Sequence, residues 1–120
     1  MKNNEERLYD LEDLLDAAAG DKVFIGKMIG NFIAETGIVL QKISILRVGG
    51  DYAGIKAVLH KIKPTMKVMG IATVVGIIEE IEEMNLLAMN ESRFSELFLK
   101  MEKTLTLVNE ELGKLKSISG

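Results

Sequence analysis

Apolar residues recur at intervals of three and four along almost the whole chain, and no strand-like alternation lasts. That one period restricts the fold to packed helices, and glycine-aspartate junctions divide it. A short first helix is predicted from Asp10, an N-cap residue type, with Leu11, Leu14, Leu15 and Ala18 on one side and a stop at Gly20. Asp21 opens a second helix to about Val48, with Ile25, Met28, Ile29, Phe32, Val39, Ile43 and Leu46 as its apolar stripe, ended by Gly49-Gly50. Asp51 caps a third, reaching about Met69 and ended by Gly70. The fourth is expected over roughly Ile71–Met89. Asn90-Glu91-Ser92 offers caps for a fifth to about Lys116, carrying Phe94, Leu97, Phe98, Met101, Leu105, Val108, Leu112 and Leu115 at bundle spacing. The closing SISG is expected to fray.

Connections this short make successive helices antiparallel neighbours. The expected architecture is therefore all-α, an antiparallel up-down-up-down four-helix bundle with a short N-terminal helix as a lid. It occupies a single domain over residues 1–120. With four Phe, two Tyr and no Trp, the core must be aliphatic. One oddity marks the second helix. Gly26, Gly30 and Gly37 fall within about 40° of one another and together cost on the order of 3 kcal/mol of helix propensity. They read either as a tolerated weak edge or as a bare strip that another backbone can approach.

The chain has no Cys, which removes disulfides, thiol catalysis and thiolate metal sites. A single His makes a zinc site improbable, and a dinuclear-iron carboxylate bundle wants a Glu-x-x-His on each of two helices. The polar start MKNNEERLYD lacks an apolar signal core, and the apolar run Met69–Ile78 is too short to span a bilayer. A soluble, cytoplasmic protein without membrane contact is expected. A net charge of −3 argues against nucleic acid as a partner. The charge is unevenly placed: residues 51–70 carry four Lys against one Asp, and residues 71–91 carry five Glu and no base. The outward Glu79, Glu80 and Glu83 are read as solvating the fourth helix.

Projected at about 100° per residue from Ile55, the core face of the third helix comprises Val58, Leu59, Ile62, Met66 and Met69. His60, the only histidine, falls near 140° and points outward. Lys56, Lys63 and Lys67 form one ridge with it. Ala53, Ala57 and Pro64 make a compact shelf beyond the ridge. A lone surface histidine is usually inert, but ridge and shelf supply what a phosphoryl acceptor requires. The attacking imidazole must be neutral, and neighbouring ammonium groups disfavour the cationic form of the ring. The same lysines offset the charge of an incoming phosphoryl group. Pro64 lacks the N–H that would bond the His60 carbonyl, so a bend is expected there.

The stretch LHKIKPTMKVMG, residues 59–70, resembles the signature of histidine-containing phosphotransfer (HPt) domains. That signature is a small or apolar residue, His, any residue, an apolar residue, Lys, Gly, then Ser, Thr or Ala, with a Gly ten places after the His. His60, Ile62, Lys63, Thr65 and Gly70 fall in register. The run YDLEDLLDAAAGDKVFIGKMIGNFI is similar to the family's amphipathic opening, and GGDYAGIKAVLH to its turn into the phosphorylated helix. The likeness covers roughly residues 9–89 and departs at Pro64, where the family usually has Gly.

The resemblance implies a four-helix bundle with an exposed, phosphorylated His60 and with Lys63 as a phosphoryl-stabilising neighbour. Lys56 and Lys67 are added from the projection alone. It also implies a covalent carrier that takes phosphate from a receiver-domain aspartate and passes it to another receiver. Its partners would be response-regulator receiver domains and a hybrid sensor histidine kinase, with Mg²⁺ supplied by the receiver. Ala57, Pro64, Gly30 and Ala34 are expected to line the docking surface of a monomeric protein. No P-loop or kinase motif is present, so no autonomous ATP-dependent activity is expected. The alternative is a non-catalytic helical adaptor, or a degenerate HPt-like domain that binds receivers without transfer. A weaker one is self-association through the glycine strip and methionine-rich surface.

Overall fold

The computed structural model describes residues 8–119, with side chains as far as residue 115; the polar start, residues 1–7, lies outside them. Among the described residues five α-helices follow one another: α1 (Glu12–Ala18), α2 (Lys22–Val48), α3 (Tyr52–Val68), α4 (Ala72–Glu82) and α5 (Glu91–Ser119). A single 3₁₀ turn, Leu86–Ala88, separates the last two. No strand occurs among the described residues.

The junctions follow from side-chain capping. Asp21 Oδ1 accepts the Phe24 N–H at 3.0 Å, Asp51 Oδ1 accepts that of Gly54 at 2.8 Å, and Asn90 Oδ1 accepts that of Arg93 at 3.0 Å. Each such cap contributes about 1 kcal/mol. Asp10 acts one residue earlier than expected, because its Oδ1 accepts from Glu12 and Leu11 occupies the cap position. Gly70 closes α3 at φ +66°, a conformation that favours glycine. A Cβ there would collide with the backbone of Asp10, whose N–H donates to the Met69 carbonyl at 3.1 Å. The α3–α4 turn thereby also anchors the segment that leads into α1.

α2 packs on α3 and α5, α4 packs on the same two helices, and α1 lies against α2. They share one aliphatic core that includes Ile29, Ile43, Ile55, Leu59, Met66, Ile78, Phe94 and Leu105. Each of these side chains stabilises the fold by about 1.5–3 kcal/mol through burial. Thr36, buried in α2, donates back to the Phe32 carbonyl and accepts from Asn109 of α5 at 2.9 Å, a polar tie inside the apolar contact. Arg47 joins the end of α2 to the start of α5 through Glu91 at 2.6 Å, with its guanidinium over the Phe94 ring.

Four expectations need correction. α4 stops at Glu82 rather than near Met89. The Nζ of Lys56 occupies the carbonyls of Glu82 and Met84, and the Asn85 side chain accepts from the Leu87 N–H at 2.8 Å. Both sets of bonds replace helical ones, and Leu87 is left 97% exposed. Leu15, assigned to the buried side of α1, is exposed, whereas Leu11, Leu14 and Ala18 are buried. In the SISG end the helix continues to Ser119, and Gly120 lies outside the described residues. Finally, α2 is long and apolar enough to cross a bilayer by length and composition, unlike the Met69–Ile78 run. Its Ile29, Phe32, Val39 and Ile43 are nevertheless buried in the common core.

Candidate functional site

α3 runs unbroken through Pro64, and the face opposite Ile55, Leu59, Ile62 and Met66 presents His60 to solvent. The His60 side chain is 78% exposed. Beside it, α3 turns at Gly70 into α4, and the last residue of α4, Glu82, comes back alongside the ring. One oxygen of that carboxylate, Oε2, lies 2.9 Å from His60 Nδ1, and the other, Oε1, lies 2.6 Å from Lys63 Nζ. Lys56 reaches the same place from one turn earlier, donating to the Glu82 carbonyl at 3.0 Å and to that of Met84. Three residues of the α3 ridge therefore converge on one end of α4.

The electrostatics agree with this geometry. The hydrogen bond from Lys63, followed by that from His60, holds the Glu82 carboxyl below its ordinary range. Glu82 in turn holds the Lys63 ammonium above its ordinary range. A carboxylate that stays ionised accepts hydrogen bonds only, so Nδ1 is the donor, and in the neutral form of the ring it is Nδ1 that carries the proton. The lone pair is then on Nε2, which has no hydrogen-bond partner among the described residues. The arrangement presents one nitrogen nucleophile to solvent with its tautomer set from behind.

The remaining expected site residues are spread more widely. Lys67 is exposed further along α3, on a shallow depression that it shares with Asp10, Val75 and Glu79, away from the ring. Ala57 and Pro64 are exposed on α3, Ala34 is exposed on α2, and Gly30 is half-buried there. Pro64 borders an open groove of about 380 Å³ between α2 and α3, with Met28, Asn31, Glu35 and Val68. Ala57, Gly30 and Ala34 do not line it. Glu80, read as solvating α4, instead forms a two-bonded ion pair with Arg93 of α5 at 2.6 and 2.8 Å. That pair holds the Glu80 carboxyl low and the guanidinium even more firmly charged. Glu79 and Glu83 are exposed.

Glu82 was not singled out in the sequence. The signal for it is a reflection: His60 lies eleven residues before Ile71, and Glu82 eleven after it. A helical hairpin turning there sets the two side by side. Among the described residues, no group of three or more His, Asp or Glu side chains is placed to hold a metal ion. No family model, curated protein or solved structure matches the chain.

Proposed function

We propose that this chain is a histidine phosphotransfer protein, an antiparallel up-down-up-down four-helix bundle that relays phosphoryl groups between receiver domains in the cytoplasm. The observation that carries the reading is the pairing of a solvent-facing His60 with Glu82 at Nδ1. In the forward step, Nε2 attacks the phosphorus of a receiver's aspartyl-phosphate in line. The N–P bond forms, the acyl-phosphate P–O bond breaks, and the aspartate leaves as a carboxylate. Mg²⁺ bound by the receiver would neutralise the phosphoryl oxygens. Nδ1 keeps its proton throughout, and the Glu82 carboxylate compensates the positive character that the ring gains. Lys63, held beside the ring through the shared Glu82 carboxylate, would supply positive charge to the phosphoryl oxygens. The reverse sequence loads a second receiver. Receivers would dock over Ala57 and Pro64 and the α2–α3 groove, and a hybrid sensor histidine kinase would stand upstream.

A radiolabelled phospho-receiver mixed with the chain and Mg²⁺ tests the reading. Label should move to an acid-labile, alkali-stable adduct and be absent with His60→Gln. Failure of the native chain to take up label overturns it. One observation favours a second reading. Lys56 and Lys63, expected to serve the phosphoryl group, already tie α3 to the end of α4. A degenerate adaptor would keep those ties, bind receivers and acquire no label.

A further inference from the structure

α2 buries one side and leaves the other to solvent without a partner. Ile29, Phe32, Val39 and Ile43 face the core. On the opposite side, Asn31, Ala34, Ile38, Gln41, Ile45 and Val48 are all exposed and follow one another at alternating steps of three and four, the spacing of a coiled-coil seam. Ile38 is 55% exposed, Ile45 67% and Val48 92%, which is costly for branched aliphatic side chains aligned along one stripe. We propose that this seam binds a second copy of the chain, with the two α2 helices packed antiparallel about a two-fold axis between Ile38 and Gln41.

Of the two orientations, only the antiparallel one also pairs the charges that flank the seam. Antiparallel register sets Asn31 against Val48 of the second copy, Ala34 against Ile45 and Ile38 against Gln41, and the two-fold axis repeats each layer. On one flank of the seam lie two charged residues, Glu35 and Lys42, both exposed. In the same register Glu35 of each copy meets Lys42 of the other, giving two symmetric ion pairs. A parallel pair would leave both charges facing small residues and would stack Asn31 on Asn31 and Gln41 on Gln41. On the other flank lie Gly30, Gly37 and Ser44. A Cβ built on Gly37 meets nothing within 4 Å, so at that position nothing inside the chain fills the space and a second backbone can come close. Asn31 and Gln41 lower affinity, because in this register each faces an aliphatic side chain. A lipid surface fits the face less well, because Asn31, Glu35 and Gln41 interrupt it. The proposal departs from the monomer expected from sequence and does not depend on phosphotransfer, so either can fail alone; Asn31 and Glu35 also border the α2–α3 groove, so the dimer would cover one rim of the surface proposed for receivers.

Sedimentation velocity on the full chain, from about 1 μM to about 1 mM, tests it. A dimer that grows with concentration is expected, abolished by Ile45→Glu, with circular dichroism confirming that the variant stays folded. Glu35→Lys and Lys42→Glu should each weaken the dimer about tenfold, and the two together should restore it to within about threefold. Oxidising a mixture of Ala34→Cys and Ile45→Cys chains should yield the mixed disulfide dimer in preference to either self-linked one. A monomer throughout overturns the proposal, as does a dimer indifferent to Ile45→Glu or a double swap that rescues nothing. Monomeric chain pelleting with phosphatidylglycerol vesicles would assign the face to lipid instead.

Discussion

Glu82 stands behind His60, with its Oε2 2.9 Å from Nδ1, so the ring's orientation on α3 is set by the end of α4. The same carboxylate holds Lys63 at 2.6 Å, which makes the imidazole and the Lys63 ammonium two sides of a single anchor.

Removing that anchor should cost rate before it costs fold. Glu82→Ala is expected to slow single-turnover transfer from a phosphorylated receiver by about 10- to 100-fold, the range for lost outer-shell partners. Nitrogen NMR of the imidazole should show Nδ1–H in the native chain and a mixture of tautomers in the variant. An unchanged tautomer with an unchanged rate would assign Glu82 to structure alone.

The pH dependence has a definite sign. Glu82 has its folded-state pKa lowered by Lys63 and then His60, so its contribution to stability is present above the ordinary carboxylate range and disappears as pH falls through the lowered value. Lys63 has its pKa raised by Glu82, so its contribution is present below the ordinary lysine range and disappears as pH rises through the raised value. The melting-temperature gap between the native chain and Glu82→Gln should therefore be widest between these ends and close at both. Thermal melts across pH check it.

Two glycines should respond to alanine in opposite directions. At Gly70 a methyl group meets the Asp10 backbone and φ is +66°, so Gly70→Ala should destabilise by more than about 1 kcal/mol. At Gly26 the same methyl meets nothing within 4 Å in a regular helix, so Gly26→Ala should stabilise by about 0.5–1 kcal/mol. Urea titrations measure both.

Pro64 sits inside α3, exposed, where its ring nitrogen cannot donate to the His60 carbonyl. Pro64→Ala restores the donor and should raise stability by up to about 3 kcal/mol, read by chemical denaturation. Transfer by the variant would then show whether the proline serves docking.

Much of this fold is legible from local rules. Asp21, Asp51 and Asn90 cap helices where expected, because a short polar side chain before an apolar period has few other uses. The outward direction of His60 follows from the buried positions around it. What local rules miss depends on contact between elements. The early end of α4 requires knowing that Lys56 takes its terminal carbonyls, and a sequence window shows only the apolar Leu86 and Leu87 continuing the period. The lysine ridge reads as a free positive field because a helical projection contains one helix, whereas Glu82 arrives from another. Period alone puts Leu15 on the buried side, but α1 is too short for both of its flanks to find a neighbour.

The measurement that bears most directly on the account is the position of the phosphorus atom after loading. The chain, labelled with nitrogen-15 at histidine, is incubated with a phosphorylated receiver and Mg²⁺, and nitrogen–phosphorus coupling is read by NMR. Phosphorus should be bonded to Nε2 of His60, with Nδ1 still protonated and facing Glu82. Phosphorus on Nδ1, or an imidazole that never acquires it, would contradict the account.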